Sequence, residues 1–481
     1  MADLDFSSPI PLYRQLFSHF LKEIEAGRLL DGERLPATRE LAGQLGLNRT
    51  TVSAAYDLLE AEGWLVAEVG RGSFVRNRKS SEMDWARLLA PSAAFRNPSL
   101  PPVAISFAHS RPSEDLFPVD AFRQSAEAVL DGPGLAGILQ LGAPAGYEPL
   151  RRYLLEQARA EGNATLADDL LITNGCQQAL DLLRQVLVRP GDSVAVEDPV
   201  YPGVRNLFTQ SAPSATGVLT GVSVDHDGIS ADSLARVHPQ LAIITPSFQN
   251  PTGATLPLSR REALLRVPGT IFIENDIYSQ LRYRGEVLPT LKQLDRSGRV
   301  ILLRSFSKVA FPGLRVGWVI GPRPLIQRLT EAKHLTDLHT DQFSQAVLLH
   351  FVESGRLAEH QRNMLTAGRS RLAAAVDAAE RYLPANTRWR EPSGGMNLWV
   401  ELPTQMDAAA LLPRAQASGV AYLPGRVFSL DGVRHKNALR LSFAGLTEAK
   451  ITKGIQILGS IAQEELEAER SRDREPVLAM V

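Results

Sequence analysis

Apolar positions along the chain follow two regimes. In the N-terminal stretch they recur at helical spacing: Leu12, Leu16, Phe20 and Ile24 form one stripe, Leu41, Ala42 and Leu45 a second, and Val52, Ala55, Tyr56 and Leu59 a third. Pro36 suits a first helical turn, Gly46 breaks the second helix and Asn48 can cap the third. Arg49, Thr50, Thr51 and Ser53 stand off the third stripe near its helix N-terminus. The segment 34–64 therefore predicts a helix–turn–helix whose second helix presents polar side chains to a DNA major groove. WLVAEVGRGSFVR (64–76) follows as two short strands joined by Gly70-Arg71-Gly72, a hairpin with a cation at its tip.

After Asn77 the patterning fades, and Pro91, Pro98, Pro101 and Pro102 interrupt it, which predicts a semi-rigid tether. Beyond Val103 short apolar runs alternate with longer amphipathic stretches. The runs are Leu170–Thr173, Ser193–Val196, Leu241–Thr245, Thr270–Ile273, Val300–Leu303 and Trp318–Ile320. Such alternation predicts an α/β body, a mostly parallel sheet covered by helices on both faces, with ligands at the carboxyl ends of the strands. From about Leu325 the pattern is largely helical, then passes through GGMNLWVEL (394–402) and NALRLSFAG (437–445), two strands of a smaller α/β part. The domains expected are a head at 1–78, a linker at 79–102, a large domain at 103–325, a small one at 326–465 and a charged tail at 466–481.

Composition narrows the class. A chain of 481 residues is too long for one core; 44% hydrophobic and 22% charged residues describe a soluble globular protein, and a net charge of −1 excludes a polycation. No apolar run approaches the ~20 residues of a membrane span. The opening MADLDFSSPIPLYRQLF has neither the basic start nor the apolar core of a signal peptide. The single cysteine, Cys176, rules out an internal disulfide and fits a reducing cytoplasm. Nine histidines without an H-E-x-x-H or C-x-x-C pattern predict no metal. Through Arg78 there are nine basic and eleven acidic side chains, so DNA affinity must come from placed arginines and helix N-termini instead of bulk charge.

The chemistry centres on SFSKVAFPGLRVGW (305–318), delivered by the run Val300–Leu303. A lysine fixed at a strand end, here Lys308, can be desolvated, lose its proton and form a Schiff base. Ser305, Ser307 and Arg315 supply the hydroxyls and forked cation that a phosphate dianion wants. The S-x-x-K string also occurs in penicillin-binding enzymes, but their S-D-N and K-T-G partners are absent. In TNGCQQALDLL (173–183), Gly175 turns the chain into a helix whose free N–H groups make an anion seat.

Together these motifs resemble the pyridoxal 5′-phosphate (PLP) site of fold-type I aminotransferases. The resemblance makes Lys308 the cofactor lysine and implies phosphate contacts from Gly175, Cys176 and Gln177. It implies stacking of Tyr201 (in EDPVYPGVRNLF) on the pyridine ring and bonding of Asn250 (in SFQNPTGATL) to the ring hydroxyl. Arg440, in the second small-domain strand, would hold a substrate α-carboxylate. In IFIENDIYSQLRY the pattern departs. The family places an Asp against the ring nitrogen with Tyr278's counterpart three residues on, which puts Asn275 in that slot; a variant spacing puts Asp276 there, and Asp276 is favoured. An Asn would leave aldimine exchange possible but weaken proton abstraction.

Residues 10–76 resemble the winged helix of GntR-type regulators, carried by R-L-P-x-x-R-E-L-A, N-R-T-T-V and G-x-G-x-F-V, implying DNA contacts from Arg34, Arg39, Arg49, Thr50, Thr51, Ser53 and Arg71. Head and body together resemble the MocR/GabR-type subfamily. The resemblance implies a cytoplasmic homodimer that binds operator DNA and senses an amino compound by aldimine exchange. The alternative is a working aminotransferase with an accessory head.

Overall fold

The head closes around three short helices, α1 (Leu12–Glu25), α2 (Thr38–Leu45) and α3 (Arg49–Ala61). The amphipathic stripes meet in one core of Leu16, Phe20, Ile24, Leu41, Ala42, Val52, Ala55, Tyr56 and Leu59. Gly46 ends α2 in the left-handed conformation (φ 67°), and the Asn48 side chain accepts the Thr50 N–H at 3.1 Å to cap α3. Helix α2 starts at Thr38, not at Pro36; the Pro36 carbonyl instead accepts the Tyr56 hydroxyl at 2.9 Å. Strands β1 (Leu65–Glu68) and β2 (Gly72–Val75) form the antiparallel wing. A segment without alternating pattern lies along β2 as well: Leu35 N–H donates to Ser73 O, and Val75 N–H to Glu33 O.

This computed structural model describes residues 4–68, 71–76, 102–209 and 218–474. The chain divides into two units, Met1–Ser92 and Ala93–Val481. All of the expected linker except Pro102 lies outside the described residues, as does the tail beyond Arg474.

In the body, β3 (Ile105–Ser106) leads in, followed by β4 (Asp168–Thr173), β5 (Ser193–Asp198), β6 (Val218–Asp225), β7 (Gly228–Ile229), β8 (Leu241–Ile244), β9 (Ile271–Asn275), β10 (Val300–Ser305) and β11 (Gly317–Pro322). They form one eight-stranded sheet, except β3, in the order β4-β11-β10-β9-β8-β5-β6-β7. The centre, β10-β9-β8-β5-β6, is parallel, and β11 runs antiparallel to both neighbours. Side chains alternate across it. Leu171, Val194, Val196, Ile243, Ile273, Ile301 and Leu303 pack on one face with Leu180, Leu183, Ile326 and Leu329 of the helices Gly175–Leu187 and Arg323–Asp337. On the other face Ala195, Ala242, Ile244 and Phe272 meet Leu234, Leu264 and Leu291, while Leu170, Ile172, Leu302 and Ile320 join the core under the C-terminal helices. Burial on both faces is why these strands read as unbroken apolar runs.

Beyond the helices Gln342–Glu353 and Arg356–Tyr382, β12 (Arg388–Trp389), β13 (Asn397–Glu401), β14 (Val420–Ala421), β15 (Leu423–Pro424) and β16 (Ala438–Ser442) build the smaller part. Four of them make an antiparallel sheet, β12-β13-β16-β15, and β14 pairs with β3 in parallel. The first segment after the linker is thereby stitched to the small part. The last helix runs from Glu448 to Arg474, past the boundary expected at 466, because Leu466 still has a buried face to cover.

Candidate functional site

The carboxyl ends of β5, β8, β9 and β10 open on a cavity of about 360 Å³, the size of a small-ligand site. Lys308 sits on a single tight turn, Phe306–Lys308, directly after β10, and the turn is pinned where Ser305 Oγ accepts the Ser307 N–H at 3.0 Å. Its Nζ donates to the Ser110 carbonyl and lies 5.8 Å from the Tyr278 ring centroid. Burial, with the cations Arg440 and Arg315 nearby, pulls the lysine down from 10.5 to about 8. A substantial share of the amine is then neutral and nucleophilic near physiological pH.

At one end of the cavity the helix Gly175–Leu187 begins. Gly175 has φ +76°, and a Cβ there would stand 2.4 Å from Arg315 Nη2; only glycine lets the guanidinium close on the free N–H groups of the first turn. Arg315 Nη2 donates to Asn174 O at 3.4 Å, and the Ser305 and Ser307 hydroxyls stand 2.9 Å apart on the same wall. Helix start, guanidinium and hydroxyls make an anion seat that fits a phosphate ester. Cys176 donates through sulfur to Arg304 O at 3.6 Å, and burial pushes its thiol up to about 12, so it packs and does not ionise. Gln177 Nε2 donates to Gly203 O at 3.1 Å, tying the seat to the loop of Tyr201. That ring lies over Gly203, where a Cβ would come within 2.3 Å of it, and it remains 44% exposed, an open aromatic face on the cavity wall.

At the other end Asn250 joins two functional groups: its Nδ2 donates to the Tyr278 hydroxyl at 3.3 Å and its Oδ1 accepts from Arg440 Nη1 at 3.0 Å. Burial pushes Tyr278 up to about 12, so it stays a neutral donor. Arg440, on β16, is 3% exposed and packs against Phe428, 5.0 Å from the ring centroid. Nη2 donates to the Ala108 carbonyl and Nε has no partner. Burial lowers its pKa to about 10, which leaves it charged at neutral pH. A buried guanidinium that donates only to neutral oxygens, with its Nε–H unpaired, is a site that calls for an anion.

The two residues weighed for the ring nitrogen, Asn275 and Asp276, lie differently. Strand β9 ends at Asn275, whose side chain lines the cavity with Oδ1 buried and unpartnered. Asp276, favoured for this place, points away, because neighbouring residues on extended chain face opposite sides. Its Oδ2 accepts from Arg304 Nε at 2.9 Å, and Arg304 also binds Glu161 at 2.6 Å. Two further groups escaped the sequence reading. Glu197, at the end of β5, lines the cavity; its Oε2 accepts the Thr245 N–H at 3.1 Å and burial pushes it up to about 8. The stretch Ala108–Arg111 lines it too, and nothing in its sequence pattern marks it.

In the head, Arg39, Arg49 and Thr50 are exposed at the helix–turn–helix, with Thr51 and Ser53 half-buried beside them. Arg34 packs on the wing, its Nε 2.8 Å from where a Gly72 Cβ would stand. Arg71 pairs with Glu68 at 2.6 Å and lies 6.0 Å from the Phe74 ring centroid. Among the described residues no helix is long and apolar enough to cross a membrane.

Comparison with known proteins divides the chain in the same way. Residues 108–458 match the aminotransferase class I and II family, and residues 12–75 match the bacterial regulatory proteins of the gntR family. The probable rhizopine catabolism regulatory protein MocR of Rhizobium meliloti is 30% identical over 96% of this chain and 95% of its own. The HTH-type transcriptional regulator TauR of Rhodobacter capsulatus is 32% identical over 90% of this chain and 92% of its own. Among solved structures, LysN, the α-aminoadipate aminotransferase of Thermus thermophilus, complexed with N-(5′-phosphopyridoxyl)-L-leucine, superposes with a TM-score of 0.70. It shares 34% identity and covers 76% of this chain and 93% of LysN.

Proposed function

The chain belongs to the MocR-type regulators, a GntR winged helix joined to an aminotransferase class I and II body, and from that premise we propose that it is a PLP-dependent transcriptional regulator answering to a small amino compound. The observation that carries the reading is one cavity holding both a lysine drawn down to about 8 and a buried arginine short of an anion. When bound, the cofactor supplies an aldehyde carbon that takes up amines and a ring that draws electrons from the attached group. Gly175, Cys176, Gln177, Ser305, Ser307 and Arg315 would hold its phosphate, Tyr201 would stack on the ring, and Asn250 and Tyr278 would bind its hydroxyl. Lys308 supplies the resident amine. Arg440 binds the carboxylate of an incoming amino acid, which fixes the orientation of the effector's own amine.

Transmission follows from what these two cations hold otherwise. Lys308 and Arg440 donate to the carbonyls of Ser110 and Ala108, and Ser110 Oγ bonds Asn397 of β13. Engagement of either cation by a ligand withdraws a donor from the segment that continues the linker. An effector shifts the equilibrium only by the difference in its affinity for the two arrangements. In a cytoplasmic homodimer the two heads would read paired half-sites.

The test is an absorbance screen of amino acids against PLP-loaded protein, repeated with promoter DNA from the adjoining genes. An amine that changes the cofactor spectrum and also the DNA affinity is the expected result. Spectral changes in every case without any change in DNA affinity would refute the regulator and favour an enzyme with an accessory head.

A further inference from the structure

Asn275 is a cavity residue whose chemistry the regulatory reading leaves unused, and the inference drawn from it rests on that reading. With the anion seat at the helix start, the amine at Lys308, and Asn250 bonded to Tyr278, the polar side chain that lines the cavity at the end of β9 is an amide. Its Oδ1 is buried without a partner. The adjacent carboxylate is not in reserve: Asp276, with its side chain 2% exposed, is held by Arg304, which Glu161 also grips. Glu197, the other carboxyl on the wall, has one oxygen committed to the Thr245 N–H, and burial keeps it mostly protonated at neutral pH.

We propose that Asn275 meets the pyridine nitrogen of the cofactor and leaves it unprotonated, so that the site exchanges amines with Lys308 but does not carry a bound amino acid through to a keto acid. Complete transfer would turn an amino acid and the cofactor aldehyde into a keto acid and the cofactor amine. In that conversion the Cα–H bond breaks, its proton passes by way of Lys308 to the former aldehyde carbon, and its electron pair rests on the ring in between. A carboxylate beside the nitrogen keeps the ring cationic and makes it the electron sink. A neutral amide can turn its Nδ2 to donate to an unprotonated ring nitrogen, but it carries no charge to hold a proton there. Exchange requires no such sink, because the incoming amine and Lys308 trade places on the aldehyde carbon without breaking any C–H bond. The site then keeps its effector intact, as a sensor requires.

The experiment loads the full-length protein and Asn275→Asp with PLP labelled with nitrogen-15 in the ring and reads the ring-nitrogen resonance by NMR. In parallel, L-alanine, L-glutamate and L-lysine are added, and the keto acids formed and the cofactor retained on dialysis are measured. The wild type shows an unprotonated ring and no keto acid beyond the uncatalysed level. Asn275→Asp shows a protonated ring, slower cofactor loss and keto-acid formation increased about tenfold or more, the scale of one charge-assisted hydrogen bond. A protonated ring in the wild type overturns the inference, and its loss in Glu197→Gln would assign the carboxylate role to Glu197. The wild-type resonance decides the matter even where the Asp variant loads poorly. Protein that takes up no PLP refutes the regulatory reading itself, an outcome distinct from a loaded site with a protonated ring.

Discussion

Lys308 shows how one side chain takes its chemistry from its surroundings. The neutral amine is the nucleophile, so uptake of PLP by cofactor-free protein should quicken as pH rises through about 8 and level off above it. A lysine at the ordinary 10.5 would still be gaining rate there, and stopped-flow absorbance distinguishes the two profiles. Arg440→Lys replaces a two-pronged donor with a point charge. It should weaken carboxylate-bearing amino acids by roughly 1–3 kcal/mol while leaving cofactor loading and simple amines without a carboxylate unaffected, as read by spectral titration. Lys308 and Arg440 could be picked out through the resemblance to a known cofactor site, each lying in or beside an apolar run that marks a strand. The choice between Asn275 and Asp276 could not, since it turns on the single residue at which β9 stops. No pattern announces the rival claim of Arg304 on Asp276 either, because that partner lies 28 positions away.

Elements were legible where both faces of a strand or one face of a helix are buried. Strands β4, β5, β8, β9, β10 and β11 and the three head helices lie where their apolar runs or stripes place them. Edges were not. Strand β6 mixes exposed and half-buried positions, and the 32–35 segment joins the wing through backbone bonds that carry no side-chain signature. Two element-level predictions follow from the caps and ties. Asn48→Ala removes the oxygen that accepts the Thr50 N–H, and should cost about 1 kcal/mol of head stability, measured as a lowered urea midpoint for that transition. Residues 103–113 should exchange their amide hydrogens at a different rate when an effector occupies the loaded site, because Arg440 then turns from the Ala108 carbonyl to the effector's carboxylate, while the displaced Lys308 is free to donate to the Ser110 carbonyl again. Unchanged exchange in that segment would rule it out as the transmitting element.

For the whole molecule, two units that fold around separate cores become a regulator only if their equilibria are linked. Arg49→Ala should weaken operator binding by roughly 1–3 kcal/mol in a gel-shift titration and leave PLP loading untouched, since the residue is exposed in the head alone. Linkage is also reciprocal: if an amino compound changes operator affinity by some factor, operator DNA must change the affinity for that compound by the same factor. The most direct measurement is therefore spectral titration of PLP-loaded protein with the amino compound identified in the screen, with and without saturating operator DNA. The two dissociation constants should differ by the factor seen in the DNA-binding assay, and the difference should disappear in Lys308→Ala. Equal constants with and without DNA, at a site that still takes up the amine, would contradict the account.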